Sequence, residues 1–369
     1  MRLVSTVLLQ EGIELARPIY DKNGRILVQK NVKLTNNMVR RLKTGEITYV
    51  YIRDKYTDDI LITPAISDEE RIEAINKIKQ SFQSFKKEDI RKGSHLIDES
   101  SEKLNDVVKG LIDKLLVQDE VMNYLSDILV TDNYVFQHSI NVTIYTLALA
   151  RKLNFNKKEL QVIGLGALLH DIGKIYIPTE ILNKKGKLDD TEFKIMKAHT
   201  EYGFELLRKS HSLPLLAAHC AFQHHERMDG SGYPRGLSGD KLHPYAKVLG
   251  IADVFDAVTS NRVYRAAMLP HKGFEILSNG ADRQFDAKMV ELFKETISTY
   301  PNGITVHLND GRKGVVTQQN VKFHERPVVR VLQENQHPVK PYDLDLSLNQ
   351  NAVIIDADNP AIYHSANGL

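Results

Sequence analysis

A long central stretch of helical pattern, residues 131–300, constrains the fold of this chain more than any other feature. Apolar residues recur there three and four positions apart, as they do on the buried face of a helix. Residues 68–130 have almost no glycine or proline, and they alternate charged and apolar side chains at the same spacing. Short β-branched and aromatic runs, such as 49–52 and 328–332, indicate strands near both ends. We therefore expect a mainly α protein, with an all-α helical bundle core flanked by small N-terminal and C-terminal β-rich units.

These differences in pattern predict five segments along the chain. They are a small β-rich N-terminal domain (1–65), a helical linker (66–124), a helical domain (125–300), a small C-terminal β module (301–358) and a flexible tail (359–369). Asp21-Lys22-Asn23-Gly24 is a turn signal in the first segment, and Asn309-Asp310-Gly311 predicts a hairpin in the C-terminal module. The charged faces of the linker helices are expected to be solvated.

The amino-acid composition limits the kinds of ligand and cellular compartment that suit this chain. The chain has 369 residues with 49 basic and 47 acidic side chains, which gives a formal net charge of +2. This balance provides no general attraction to DNA, RNA or acidic membranes, so an anionic ligand must be held by a local site. Cys220 is the single cysteine, which excludes an intramolecular disulfide and fits a reducing, cytoplasmic compartment. No apolar run approaches the roughly 18–20 residues of a membrane span, and the first residues lack a signal-peptide layout.

The first candidate site residues lie in the segment 165–174. Ala167, His170, Asp171 and Lys174 are spaced to share one face of a helix. An imidazole beside a carboxylate suits a borderline divalent metal ion, and Lys174 would place a cation beside a phosphate. A structural His–Asp pair explains the first two residues equally well.

Two further histidines lie on predicted helices and carry little weight alone. His138 and His199 each line up with apolar side chains, where a lone histidine is usually a core residue. Asp189 and Glu192 form a predicted capping box that opens the helix carrying His199. Taken one at a time, neither histidine indicates a metal site.

Residues 223–234 favour a functional interpretation. His224 and His225 end an apolar helix, and adjacent helical residues point about 100° apart, so the two could serve different ions. The glycine-rich loop that follows presents Tyr233 for stacking on a base or for a hydrogen bond to a phosphate. A solvent loop would explain the glycines but not the histidine pair ahead of them.

Acidic and basic residues later in the chain complete the set of candidate site residues. Asp253 and Asp256 share one face of an apolar helix, where a carboxylate is costly unless it is paired or bound to metal. Arg262 and Arg265 follow two to three turns later and suit a phosphate or a guanine edge, although alone they would be taken for surface residues. Imidazoles and carboxylates from at least four helices, with these cations nearby, favour a two-metal phosphodiester site.

These residues resemble the HD-GYP family of the HD superfamily over roughly 125–300. His170-Asp171 stands at the HD motif with Lys174 after it, and Gly232-Tyr233-Pro234 stands at the GYP motif. The resemblance implies an HD-type all-α core, two divalent transition-metal ions, iron or manganese, and hydrolysis of the bacterial second messenger cyclic di-GMP. By position, the implied metal ligands are His138, His170, Asp171, His199, His224, His225 and Asp253.

The same resemblance implies individual roles. Asp171 would bridge the ions, and Asp171 and Lys174 would be the catalytic residues. A water shared by the ions would lose a proton, and the hydroxide would attack phosphorus as the 3′-oxygen leaves, which would give pGpG. A second cleavage of the same kind would give GMP. Some family members place a glutamate where this chain has Tyr134 and hold three metals, so two are expected here. The implied substrate contacts are Lys174, Tyr233, Arg262 and Arg265.

Other interpretations remain open on the sequence alone. The chain could be a receptor that binds cyclic di-GMP without turnover, or an HD-superfamily hydrolase of another cyclic dinucleotide or of a mononucleotide. A protein partner docked on the terminal β units could coexist with catalysis, and a homodimer is also open. Steady turnover with Mn²⁺ or anaerobic Fe²⁺ would exclude the receptor, and a substrate panel would separate the hydrolases.

Overall fold

The structure of the chain is a computed structural model that describes residues 1–20, 25–44, 47–62, 64, 66–87, 95–117, 134–184, 186–260, 268–320 and 322–357. Three predictions fall outside these residues: the turn at Asn23-Gly24, the roles of Arg262 and Arg265, and the tail 359–369. Among the described helices, none combines the length and the apolar character that a membrane span needs.

Residues near the N-terminus form a small β unit, as predicted. Its elements are β1 (Arg2–Ser5), β2 (Glu14–Leu15), β3 (Ile19–Tyr20), β4 (Ile26–Val28), the helix α1 (Asn36–Thr44) and β5 (Tyr49–Arg53). Strands β1, β5 and β2 pair in that order in one antiparallel sheet, and β3 pairs with β4 in another. Leu15, Leu34, Leu42 and Val50 belong to the apolar cluster that fills its centre.

The middle of the described chain is helical, which confirms the predicted fold class. One continuous apolar core runs from Ile66 to Ile297. Tyr145, Phe255 and Phe293 pack edge to face inside it, with ring centroids 5.1–6.1 Å apart. The helices are α2 (Asp68–Lys87), α3 (His95–Val117), α4 (Tyr134–Lys152), α5 (Lys157–Leu169), α6 (Thr179–Leu182), α7 (Asp190–Lys197), α8 (His199–Leu207), α9 (Leu215–Gln223), α10 (Pro244–Thr259), α11 (Pro270–Asn279) and α12 (Ala287–Lys294).

Helices α2 and α3 are part of this helical body. Ile78 and Phe85 of α2 and Leu104 and Val108 of α3 are fully buried in the same core as α4, α5 and α10. Arg71 of α2 is also fully buried, so the expectation that the charged faces of these helices are all solvated is wrong at this residue. The division of the chain into five segments stays a prediction.

The C-terminal sheet consists of β6 (Thr305–Leu308), β7 (Arg312–Gln318), β8 (Val328–Glu334), β9 (His337–Asp345) and β10 (Ile354–Ala357), in the order β10-β6-β7-β8-β9. The predicted hairpin at Asn309-Asp310-Gly311 is confirmed. The sequence pattern did not indicate β9, because Pro338 and Pro341 interrupt it. Prolines are tolerated in β9 because it lies at the edge of the sheet.

The two β units share one apolar core. Leu3, Tyr49 and Tyr51 of the N-terminal unit pack in the same buried cluster as Val306 and Val331 of the C-terminal sheet. The N-terminal and C-terminal β units are therefore joined to each other through this cluster.

Candidate metal centre

The His170-Asp171 pair follows the last turn of α5. A 3₁₀ turn continues from it, so the prediction of a single helix face reaching to Lys174 is wrong. The chain turns here because Gly173 packs against the start of α8, where a Cβ on this glycine would collide with the carbonyl oxygen of His199. This close approach brings Asp171 beside His199.

The seven residues predicted as ligands come from the inner faces and ends of five helices. Two lie within α4 and α10, one begins α8, and the others follow the last residues of α5 and α9. All are buried except His225, whose side chain is 27% exposed. In chain order they are His138, His170, Asp171, His199, His224, His225 and Asp253.

Two local predictions around these residues are confirmed. Asp189 and Glu192 form a reciprocal capping box at the start of α7, although His199 begins the next helix, α8, and is not on the helix that they cap. His224 is the C-terminal cap of α9, so the histidine pair does end an apolar helix.

Donor atoms of six of these residues converge in two groups of three. Within each group, the donor atoms all lie within 4.8 Å of one another, close enough to share one ion. The first group is His138, His170 and Asp171, and the second group is His199, His224 and His225.

The carboxylates of Asp171, itself a member of the first group, and of Asp253 each face histidines of both groups. Oδ2 of Asp171 is 3.4 Å from Nε2 of His170, while its Oδ1 is 3.4 Å from Nε2 of His199. Oδ1 of Asp253 is 3.1 Å from Nε2 of His138, and its Oδ2 is 3.8 Å from Nδ1 of His225 in the second group. Each carboxylate therefore presents one oxygen to each group, as a bridging ligand would.

Four of the imidazoles make a hydrogen bond through Nδ1 and turn Nε2 toward the centre. Nδ1 of His170, His199 and His224 donates to a backbone carbonyl three residues earlier, at 2.7, 2.7 and 2.9 Å. Nδ1 of His138 instead lies 2.7 Å from Oδ2 of Asp256. With Nδ1 as donor, a neutral ring has its lone pair on Nε2, and each of these Nε2 atoms lies within 3.9 Å of a carboxylate oxygen of the centre. Metal-binding histidines adopt this arrangement.

Four buried polar atoms of the centre have no satisfactory hydrogen-bond partner in the described chain. Nε2 of His199 lies 3.3 Å from Nε2 of His224, and with both rings donating through Nδ1, neither nitrogen has a proton to give. Nε2 of His170 and Oδ1 of Asp171 are buried without a hydrogen-bond partner in the described chain. Each such atom costs ~1–3 kcal/mol unless something compensates it. Divalent metal ions would satisfy all four, and imidazole nitrogens with carboxylate oxygens suit transition metals, so these residues fit a metal centre.

The pKa of His138 is shifted in the opposite direction from the pKa values of His199 and His225. Burial lowers the pKa of His199 to about 4 and that of His225 to about 3, so both rings are neutral near pH 7. Burial would also lower the pKa of His138, but hydrogen bonds to Asp253 and Asp256 outweigh it and raise that pKa to about 9. A metal ion at His138 would therefore take the place of a proton.

Lys174 extends from the 3₁₀ turn to Asp171. Its Nζ lies 2.5 Å from Oδ2 of Asp171, and its side chain is partly exposed. Burial would raise the pKa of the Asp171 carboxyl, but the ammonium of Lys174 and the ring of His170 hold that pKa well below its usual range. Asp171 is thus ionised, and Lys174 supplies a cation at the edge of the centre.

The loop 226–237 packs over the second group. The ring of Tyr233 lies 4.7 Å from that of His225 between centroids, and the Tyr233 amide donates to the His225 carbonyl at 3.2 Å. Gly232 permits this approach, because a Cβ there would lie 2.5 Å from the same carbonyl oxygen. Glu226, for which the sequence suggested no role, closes the loop by accepting two backbone amides across it, both at 2.8 Å.

An aromatic and a cationic residue that the sequence pattern did not reveal lie beside Tyr233. The ring of Phe193 is 6.2 Å from that of Tyr233 and is 43% exposed. Nζ of Lys197 lies 4.7 Å from the Phe193 centroid and 5.6 Å from that of Tyr233. An exposed aromatic ring beside a cation suits a nucleobase and its phosphate. The sequence carries no separate signal for Phe193, because α7 also contains the apolar residues Ile195 and Met196.

Comparison with known proteins points to the same class of site. Residues 123–289 match the family described as HD domain, and residues 305–366 match the one described as KOW domain associated with HD domain. The cyclic di-GMP phosphodiesterase PA4108 of Pseudomonas aeruginosa is 34% identical over 62% of this chain and 55% of its own length. The cyclic di-GMP phosphodiesterase response regulator RpfG of Xanthomonas campestris is 41% identical over 38% of each chain. The 3′3′-cGAMP-specific phosphodiesterase 2 of Vibrio cholerae is 40% identical over 43% of this chain and 30% of its own.

Residues 123–289 are therefore an HD domain. The chain resembles the HD-GYP family of the HD superfamily in its motifs and in its similarity to these phosphodiesterases. It spans about half the length of the Pseudomonas relative and 38% and 30% of the other two, so the likeness is one of shared domains and not of whole proteins.

Proposed function

We propose that this chain is a metal-dependent phosphodiesterase that hydrolyses cyclic di-GMP to pGpG, to GMP or to both. The observation that carries the proposal is the convergence of four Nε2 atoms on the carboxylates of Asp171 and Asp253. A centre with this donor set suits hydrolysis of a phosphodiester. Relatives named cyclic di-GMP phosphodiesterases, at 34% and 41% identity, support this substrate.

The first group would hold one divalent metal ion and the second group another, with Asp171 as the bridging ligand and Asp253 beside both. Five imidazoles and two carboxylates suit iron or manganese. Bound there, two such ions would lower the pKa of water toward neutrality and offset the negative charge on the phosphate.

Residues around the centre would bind and orient the substrate. The Lys174 ammonium, partly exposed beside Asp171, would balance charge that builds on a phosphate oxygen. Tyr233 would stack on a base or donate its hydroxyl to a phosphate, and burial raises the pKa of that hydroxyl, which keeps its proton in place. Arg262 and Arg265, which lie outside the described residues, remain proposed substrate contacts.

Catalysis is assigned to residues 125–300. The β units at 1–65 and 301–358 would offer docking surfaces for a protein partner, since small domains and loops commonly carry such contacts.

The proposal is tested on the full chain purified without oxygen. Metal analysis is expected to find about two ions per chain, and chromatography is expected to show metal-dependent breakdown of cyclic di-GMP. A chain loaded with iron or manganese that binds cyclic di-GMP but leaves it intact would be a receptor and would contradict the proposal. Full turnover by a metal-free chain would contradict the role of the two groups.

A second candidate substrate is 3′3′-cGAMP. The relative from Vibrio cholerae at 40% identity is named as specific for it, and the two cyclic dinucleotides share the same phosphodiester chemistry. Values of kcat/KM for cyclic di-GMP, 3′3′-cGAMP, cyclic di-AMP and a mononucleotide, measured side by side, separate the candidates. A higher value for 3′3′-cGAMP would favour the second.

A further inference from the structure

A buried series of hydrogen bonds leads from the metal centre to helix α2. Nδ1 of His138 lies 2.7 Å from Oδ2 of Asp256. Oδ1 of Asp256 accepts from Nδ2 of Asn141 at 2.9 Å and from the hydroxyl of Ser260 at 2.8 Å. Oδ1 of Asn141 in turn accepts from Nη1 of Arg71 at 2.7 Å. The series connects α2, α4 and α10 behind a proposed metal ligand.

Each group in this series has only one orientation that satisfies its neighbours. A guanidinium can only donate, so Arg71 fixes the amide oxygen of Asn141 toward itself. The amide nitrogen of Asn141 then donates to Asp256, which leaves the second carboxylate oxygen for His138. His138 must donate to that oxygen through Nδ1 and keeps Nε2 for the metal centre. Turning the Asn141 amide over would set donor against donor at Arg71 and acceptor against acceptor at Asp256.

Burial leaves these side chains few alternatives. Arg71, Asn141 and Asp256 have no exposed surface, and His138 is 2% exposed. None of them can exchange its protein partner for bulk water without unpacking the core. The amide of Asn141 lies between a buried cation and a buried anion, where hydrogen bonds in series strengthen one another.

We propose that Arg71 is a positioning residue of the metal centre, acting through Asn141 and Asp256 on the ring of His138. The inference rests on the proposed metal-dependent function. It extends the centre beyond the HD domain, because Arg71 precedes the matched residues 123–289.

The start of α2 is itself anchored to the N-terminal β unit. Nη2 of Arg17 lies 2.6 Å from Oδ1 of Asp68, the first residue of α2, in a mostly buried ion pair. Asp68 precedes Arg71 by one helical turn, so the two share a face of the helix. The position of the β unit and that of Arg71 are therefore set by the same turn of α2.

The test measures Mn²⁺ binding to the metal-free full chain by calorimetry, so it does not depend on turnover. Arg71→Met keeps most of the apolar length of the side chain and removes its donors. It is expected to weaken Mn²⁺ binding about 10–100-fold, as the loss of a partner behind a metal ligand does. Arg71→Lys, which keeps the charge, is expected to restore part of the affinity. In an Asn141→Leu background, Arg71→Met should add nothing, because the series is already broken.

A packing control separates positioning from general destabilisation. Ile78 lies on α2 two turns after Arg71, on the same face, and is fully buried. Ile78→Ala should lower the melting temperature and leave Mn²⁺ affinity within about twofold, because it removes packing but no hydrogen bond.

Unchanged Mn²⁺ affinity in Arg71→Met, or equal weakening in Arg71→Met and Ile78→Ala, would overturn the proposal. If Arg71→Met does not fold, Asn141→Leu replaces it, and unchanged Mn²⁺ affinity in that variant would overturn the proposal equally. Absence of Mn²⁺ binding to the unsubstituted chain is a separate outcome, which would overturn the proposed function along with this inference.

Discussion

The histidines of the centre are held in two different ways. His170, His199 and His224 donate through Nδ1 to carbonyl oxygens three residues earlier, so each is oriented by its own stretch of backbone. His138 is oriented by Asp256, 118 residues further along the chain. The first three, the locally held histidines, have acceptors that no substitution can remove. His138 depends on tertiary packing, so it can be disturbed from several distant side chains.

Asp171→Ala is expected to have the largest effect, because this carboxylate faces His170 on one side and His199 on the other. Metal content should fall from about two ions to less than one, and kcat should fall by on the order of a thousandfold. Metal analysis and the cyclic di-GMP assay on the same preparation check both. Asp106→Ala, which alters an exposed carboxylate on α3, is the matched control and should keep both ions. Full metal occupancy in Asp171→Ala would refute the bridging role.

Asp256→Asn alters only the long-range anchor, which is the Asp256 carboxylate that orients His138. Removal of the charge that orients His138 should weaken the ion of the first group about 10–100-fold and leave the second group largely unchanged. A two-step Mn²⁺ titration resolves the two sites.

The control for Asp256→Asn alters a residue that holds a local histidine. Met196→Leu changes the side chain of the residue whose carbonyl orients His199, yet it keeps that carbonyl. Its Mn²⁺ affinity should stay within about twofold, since the acceptor belongs to the backbone. Equal losses in Asp256→Asn and Met196→Leu, or no loss in either, would remove the distinction between local and long-range anchoring.

Lys174→Ala separates the holding of ligands from the binding of substrate. Lys174 contacts Asp171 but orients no imidazole, so the variant should retain both ions. Its kcat should fall about 10–100-fold, because a cation that offsets phosphate charge is lost. Lys174→Arg should recover part of the rate. A fall in metal content in Lys174→Ala would assign Lys174 to the positioning of Asp171 instead.

The local helix structure beside His199 and His224 could be predicted from sequence. The pair His224-His225 follows an apolar helix, and the capping box before His199 is a short-range signal, so both appear where the pattern indicates. The turn after His170 could not be predicted, because it depends on Gly173 meeting the backbone at His199. That contact is between segments that are separate in sequence.

The long-range anchor left little trace in the sequence. Asp256 stood out only as a second acid on the face of Asp253, and Asn141 lies in an apolar helix with no motif around it. Arg71 is one of many charged residues on α2, and its burial follows from the packing of α2 against α4. Spacing in sequence identifies which face a residue lies on, whereas the partner of that face is set by the tertiary fold.

Phe193→Ala is expected to have the smallest effect, because Phe193 orients neither kind of histidine. Its ring is partly exposed beside Tyr233 and Lys197, where a guanine base would stack. KM for cyclic di-GMP should therefore rise roughly tenfold, which is at the low end of the effect expected when one base–aromatic contact is lost. Metal content and kcat should change little. Ile195→Ala, a similarly exposed apolar residue nearly opposite on the same helix, should leave KM unchanged. An equal rise in KM in both variants would indicate a general loosening of α7. Loss of metal in Phe193→Ala would show that this aromatic surface supports the second group, and local backbone acceptors would then no longer suffice to hold its histidines.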